Sequence, residues 1–353
     1  MRASVRAASV YPVGKAPGLI KLDAMENPYP WPEDMRDAWM QRLRNVAVNR
    51  YPDAEATVLK QQLRVVFSIP GNAGILLGNG SDEIIQIIVS AFAGPGVSVL
   101  APEPSFVMYG VIARGTDMNY VGVPLHARDF ALDVDAMLAA VERHQPAVIF
   151  IAWPNNPTGN LFDRDALEQV VRAAPGIVIM DEAYHPFAGS SLMPLLEQYD
   201  NVLVMRTMSK LGLAGLRLGF LAGPPAWLRE FEKLRLPYNV GVLTQESAGF
   251  FLEHMDVLQE QARRLCADRE RLYQALLKQP RVVVWPSAAN FLLFRTDAMP
   301  AAELHARLKR AGLLIRCVAD LHPLLEGCLR VTVGTAGENE AFMAALSGIL
   351  AHS

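Results

Sequence analysis

The chain has 353 residues, with 33 basic and 36 acidic side chains for a net charge of −3, and half of its residues are hydrophobic. That balance suits a soluble globular enzyme with one large and one smaller domain. There is no basic block to grip nucleic acid, no run of 18 apolar residues to span a membrane, and no apolar segment after residues 1–9 to act as a secretory signal.

Residues 1–30 are rich in proline. Tyr11-Pro12, Ala16-Pro17, Asn27-Pro28 and Tyr29-Pro30 disfavour helix and predict an N-terminal arm laid over another surface. From Pro32 onward, Met35, Trp39 and Leu43 recur at i, i+4, i+8 as one face of a helix. Tyr51-Pro52-Asp53 closes that unit, and a second helix is expected over 58–67. A short strand over 75–77 then runs into Gly78-Asn79-Gly80-Ser81-Asp82-Glu83. Gly78 and Gly80 permit a tight turn, Ser81 suits a helix cap, and the acidic pair suits a first helical turn. Such a strand, turn and helix start offer backbone N–H groups to a phosphate. The pattern is neither GxGxxG nor a P-loop, so it argues for neither a dinucleotide nor ATP.

Apolar runs at 97–101, 147–152, 177–180, 202–205 and 220–222 read as strands, with helical patterns such as 165–174 between them. This alternation predicts an α/β fold with a mostly parallel sheet and right-handed crossovers. Helices are expected over 244–252 and 257–277. A β/α mixture follows, with strands at 282–285, 290–294, 313–316 and 329–333 and helices at 301–311 and 338–350. No repeat or low-complexity linker marks a boundary. The expected division is an arm (1–30), a large domain (31–245) and a small C-terminal domain (246–353) that packs with part of the N-terminal segment. Cys266, Cys317 and Cys328 are odd in number and lack CxxC or CxxH spacing, which predicts reduced thiols in a cytoplasm and no metal site.

Polar residues follow three of these strands, where α/β sheets place their ligands. The run at 147–152 leads into Trp153-Pro154-Asn155-Asn156-Pro157-Thr158-Gly159, and that at 177–180 into Asp181-Glu182-Ala183-Tyr184. The run at 202–205 leads into Thr207-Met208-Ser209-Lys210, with Arg217 seven residues beyond the lysine. A lysine set among Leu, Ala and Gly loses hydration, which lowers its pKa and leaves a nucleophilic amine. Ser209 and Arg217 can hold an anion beside it. Taken singly, each has a plainer reading: a turn, a helix cap, a snorkelling surface lysine. Their order across successive strand ends argues for a site.

The set resembles the fold type I, pyridoxal-phosphate-dependent aminotransferases, over nearly the whole chain. The resemblance implies pyridoxal 5′-phosphate as cofactor, with Asp181 at the pyridinium nitrogen, Asn156 and Tyr184 at the phenolic oxygen, and Tyr109 stacked on the ring. It makes Lys210 the Schiff-base lysine and proton carrier. Gly80, Ser81, Asp82, Thr207, Ser209 and Arg217 form the phosphate cup, and Tyr51 reaches the phosphate of a partner subunit in a homodimer. Within the family, Glu26-Asn27-Pro28, Arg50-Tyr51-Pro52 and Leu329-Arg330-Val331-Thr332-Val333-Gly334-Thr335 are similar to the histidinol-phosphate aminotransferases. That likeness implies transfer of an amino group between L-histidinol phosphate and 2-oxoglutarate in histidine biosynthesis, with Tyr11, Asn27, Arg316 and Arg330 at the substrate. A guanidinium forks onto carboxylate or phosphate, so one site can accept both substrates. Met25 stands where the family usually has Asn, and Phe106 where it usually has Tyr. These departures keep open an aromatic or other amino-acid aminotransferase, or a threonine-phosphate decarboxylase. A regulator built on this fold would carry a DNA-binding domain ahead of the first helix, where an arm of about 30 residues is expected instead.

Overall fold

Apolar runs of five or six residues build a seven-stranded sheet in the computed structural model, which describes residues 1, 3–7, 14 and 17–352. The strands are β1 (Gly74–Gly78), β2 (Ser98–Glu103), β3 (Asn119–Pro124), β4 (Val148–Ala152), β5 (Ile177–Asp181), β6 (Val202–Thr207) and β7 (Gly219–Gly223). Their order is β1-β7-β6-β5-β4-β2-β3. The pairs among β2 to β6 are parallel, while β7 lies antiparallel between β1 and β6. Strands β1 and β6 therefore run the same way, and the carboxyl ends of β1, β4, β5 and β6 share one edge. Strands β4, β5 and β6 are buried along their whole length because helices cover both faces. Strand β3 has no counterpart in the sequence reading. It is a half-exposed edge strand interrupted by Gly122 and Pro124, so it lacks the continuous apolar signal of its neighbours.

Helix Ser81–Phe92 packs Ile84, Ile85, Ile88 and Val89 into the core beneath this sheet. Helix Arg164–Ala173 is amphipathic, and the Asp163 carboxylate accepts the Ala166 N–H at 3.0 Å to cap it. A second, antiparallel sheet is formed by Val282–Val284, Phe291–Thr296, Arg316–Cys317 and Cys328–Thr332, with helices Ala301–Arg310 and Ala336–Ala351 against it.

The hydrophobic clusters do not follow a single cut in the chain. Phe250, Phe251 and Leu252 of helix Val242–Glu253 join the core of the large domain, against helices Glu33–Leu43 and Thr57–Val66. The next helix, Met255–Leu277, serves both: Leu258 lies in the first core, and Ala262, Leu265, Leu272 and Leu276 in the second. A continuous helix crosses the boundary, so no change of composition marks it. The arm behaves likewise. Ile20–Lys21 pairs in parallel with Leu313–Leu314, Leu22 and Met25 enter the second core, and the Tyr29 hydroxyl donates to Asp268 at 2.9 Å. Trp31 then packs on Phe251 in the first core, with ring centroids 4.0 Å apart. Among the described residues no helix is long and apolar enough to cross a membrane.

Candidate active site

A cavity of about 250 Å³ opens at the shared carboxyl edge of the sheet, with Ala24, Met25 and Glu26 of the arm on its wall. Strand β5 delivers Asp181, only 3% exposed. One carboxylate oxygen accepts the Tyr109 hydroxyl at 2.5 Å and the other the Ala183 N–H at 3.1 Å. Burial raises the Asp181 pKa to about 6, and those two hydrogen bonds oppose the rise.

Strand β4 delivers two asparagines with different tasks. Asn155 is fully buried, and its amide bonds to Ser105, the Pro104 carbonyl and Thr158, which holds the loop. Asn156 faces the cavity, donating to the Tyr184 hydroxyl at 3.2 Å and accepting from Arg330 Nη1 at 2.5 Å. Tyr184 is held edge-on to Phe291, with centroids 5.2 Å apart.

Strand β6 runs into the 3₁₀ turn Ser209–Leu211, which places Lys210 on the cavity wall. Its amine donates to the Ala24 carbonyl at 3.2 Å. Burial, and then the charge of Arg330, push its pKa down to about 8. A useful fraction of this lysine is therefore neutral and nucleophilic near physiological pH.

At the other end of the cavity, helix Ser81–Phe92 starts behind Gly80 with no side chain capping its first N–H groups. Ser209 accepts from Arg217 Nη1 at 3.4 Å and from the Thr207 hydroxyl at 2.9 Å, and Arg217 Nη2 lies 3.7 Å from Asp82. Two glycines permit this closeness. A Cβ on Gly80, where φ is +83°, would sit 2.5 Å from Arg217 Nη2, and one on Gly219 would sit 2.8 Å from the Ser81 nitrogen. Exposed helix N–H groups beside a guanidinium suit a phosphate.

Several expected residues fall elsewhere. Tyr109 does not present a face to the cavity. It is fully buried behind Asp181, with its ring parallel to Phe150 at 4.6 Å and 8°. The aromatic on the wall is Phe106, three positions earlier and edge-on to Tyr109. Asn27 is not on the wall either. It donates to Gln261 at 2.8 Å and accepts the Tyr29 N–H at 2.9 Å, fastening the turn of the arm to helix Met255–Leu277. Arg316 stands opposite Arg330 in the antiparallel register, away from the cavity wall. Arg330 lies one step behind that wall, 7% exposed, with Nη2 donating to the Asp23 carbonyl at 2.9 Å and its guanidinium 5.3 Å over Phe291. Tyr51 is 81% exposed and stacked on Tyr238 at 4.4 Å, pointing away from the cavity of its own chain. Tyr11 lies outside the described residues.

The Ala24 and Asp23 carbonyls, which hold Lys210 and Arg330, were missed by sequence reasoning because backbone groups leave no residue-type signal. A larger cleft of about 640 Å³ lies among Phe67, His185, Arg206 and Met255. Its buried Arg206 is committed to Glu182 and Ser191, each at 2.7 Å. Among the described residues no group of His, Cys, Asp or Glu is arranged to hold a metal ion.

A buried carboxylate and a desolvated amine at one strand edge, with an anion cradle beside them, are the tools of a transferase that works through a phosphorylated cofactor. Residues 17–346 match the family model of class I and II aminotransferases, and the chain belongs to that family. It is 54% identical to a histidinol-phosphate aminotransferase of Nitrosococcus oceani, over 98% of this chain and 96% of the relative. It is 51% identical, with the same coverage, to one of Chromobacterium violaceum. In structure it is similar to the histidinol-phosphate aminotransferase of Sinorhizobium meliloti in complex with pyridoxal-5′-phosphate. The TM-score is 0.87 and the identity 25%, covering 100% of this chain and 98% of that one.

Proposed function

We propose that this aminotransferase uses pyridoxal 5′-phosphate to interconvert L-histidinol phosphate plus 2-oxoglutarate and imidazole-acetol phosphate plus L-glutamate, a step of histidine biosynthesis. The observation that carries the reading is the identity of about half to histidinol-phosphate aminotransferases over nearly the full chain. The donor set fits the cofactor, because the cradle that a Cβ on Gly80 would fill meets Arg217 and the start of a helix. When bound, pyridoxal phosphate supplies an electron sink for the bond pair released at the substrate Cα.

The residues of this chain do the rest. Asp181 would hold the proton of the ring nitrogen, and Asn156 and Tyr184 would hydrogen-bond the phenolic oxygen. Phe106 would lie against the ring. The main-chain N–H groups of Ser81 and Asp82, with Thr207, Ser209 and Arg217, would hold the phosphate. Lys210 would supply the amine that holds the cofactor and the base that moves the proton at the substrate Cα.

Arg330 is the anchor for the substrate anion, close behind Asn156. Arg330→Ala is expected to lower kcat/KM for glutamate and histidinol phosphate alike, by roughly tenfold to a few hundredfold, since a charge-assisted contact is lost. Arg330→Lys should also be impaired, because a point-charge ammonium cannot reproduce the planar fork. Steady-state kinetics of both half-reactions check this, and an unchanged Arg330→Ala enzyme would place the anion site elsewhere.

Met25 and Phe106, both on the wall, favour a second reading, transamination of an aromatic amino acid. Three free thiols fit a reducing cytoplasm. The exposed Tyr51–Tyr238 stack supports a homodimer in which Tyr51 reaches the partner's phosphate site. Mixing inactive Tyr51→Ala and Lys210→Ala proteins should then restore one working site per heterodimer. Heterodimers that form and stay inactive would count against a shared site.

A further inference from the structure

We infer that Tyr109 is a positioning residue: its hydroxyl holds the Asp181 carboxylate ionised and aimed into the cavity, and so governs how the site grips a cationic ring nitrogen. The inference rests on the cofactor reading above and adds to it a residue that never touches the cofactor.

The geometry is specific. Tyr109 is 0% exposed, and its hydroxyl donates to Asp181 Oδ2 at 2.5 Å. The phenol ring is packed on two sides. Phe150 of β4 stacks on it at 8°, and Phe106 meets it edge-on at 5.6 Å. The Ala183 N–H holds the other carboxylate oxygen at 3.1 Å, so the plane of the carboxylate is fixed from two sides. What remains of its accepting capacity faces the cavity that Asp181 lines.

The chemistry follows from burial. A carboxylate taken out of water takes up a proton unless hydrogen bonds to its charged form compensate. Burial, Asp82 and Glu182 all push Asp181 toward the protonated form, and the Tyr109 bond is the largest opposing influence. Glu182 is itself neutralised by Arg206, and the cationic side chains on the same cavity wall are Lys210 and Arg217. Tyr109 remains a donor throughout, because burial and the neighbouring Asp181 hold its own ionisation far above the ordinary tyrosine range. A protonated Asp181 cannot hold a second proton on a ring nitrogen. Removing the hydroxyl should therefore damage the site selectively in acid.

The test is uptake of pyridoxal phosphate by wild type and Tyr109→Phe, measured as a Kd at intervals from about pH 5.5 to 8.5 across the carboxylate and lysine range. Phenylalanine keeps the ring and its stack on Phe150, and thermal unfolding verifies that the fold survives. The variant should bind up to about tenfold more weakly at the acid end and approach wild type at the alkaline end, its acid midpoint moved up by about one pH unit. A purely structural role would weaken binding by one factor at every pH, and that result would overturn the inference. In an Asp181→Asn background, which has no carboxylate to titrate, Tyr109→Phe should move no acid midpoint, and a shift that persists would contradict the coupling. Wild-type protein that takes up no pyridoxal phosphate at any pH would overturn the cofactor reading, and this inference with it.

Discussion

Lys210→Ala is expected to fold and to lose transamination by about ten-thousandfold or more, because in the proposed mechanism one side chain would supply both the amine that holds the cofactor and the base that moves the Cα proton. The fold should survive the change. The Lys210 amine makes one hydrogen bond, to the Ala24 carbonyl, and its charge is disfavoured where it sits, since burial and Arg330 hold its pKa near 8. Removing it deletes a desolvated cation and leaves no buried acid unpaired. Borohydride reduction of the wild type should fix pyridoxal phosphate on Lys210, as peptide mapping would detect. Capture of pyridoxal phosphate should quicken as pH rises toward 8 and level off above it, following the neutral amine. An adduct on another lysine would remove Lys210 from its role.

Asp181→Asn should retain the cofactor and lose activity by about a hundred- to a thousandfold, the loss typical of removing one preorganised electrostatic partner. The amide is isosteric and can still bond to Tyr109 and Ala183, but it carries no charge to balance a protonated ring nitrogen. The variant also has a stability signature. The folded Asp181 has a pKa of about 6 against an ordinary 3.8, so between those values the native protein binds the proton more tightly than the unfolded chain. The contribution of this group to stability therefore falls as pH rises through that window and stays low above it. Asp181→Asn should raise the Tm of the cofactor-free protein at neutral pH and lose that advantage below the window. Turnover near that of the wild type would refute the assigned role.

Much of this site was legible because the residues that carry it follow long apolar runs. Val148–Ala152, Ile177–Asp181 and Val202–Thr207 announce buried strands, and a polar residue at the end of such a run is conspicuous, as Asn156, Asp181 and Lys210 are. The turn at Gly80 was legible for a different reason, since Gly80 before Ser81 leaves a backbone signature in the residue types themselves. Residue type could not separate Phe106 from Tyr109. Both are aromatic and lie about one helical turn apart, and only packing decides that Tyr109 goes beneath Asp181 while Phe106 meets the cavity. Asn27 likewise sits in a suggestive motif, yet its amide is used up by Gln261 and Tyr29. No domain boundary was conspicuous in the sequence because helix Met255–Leu277 carries apolar residues for two cores without interruption. Strand β3 was hidden because an exposed edge needs no apolar run.

The central claim concerns the substrate, and the most direct measurement is a donor panel. Purified protein loaded with pyridoxal phosphate is assayed for glutamate formed from 2-oxoglutarate, with histidinol phosphate, histidinol, phenylalanine, tyrosine and O-phosphothreonine as donors. Histidinol phosphate should give the highest kcat/KM, exceeding histidinol by about tenfold or more, as expected when a phosphate meets a desolvated guanidinium. An aromatic amino acid that outruns histidinol phosphate, or carbon dioxide released from O-phosphothreonine without glutamate, would contradict the account.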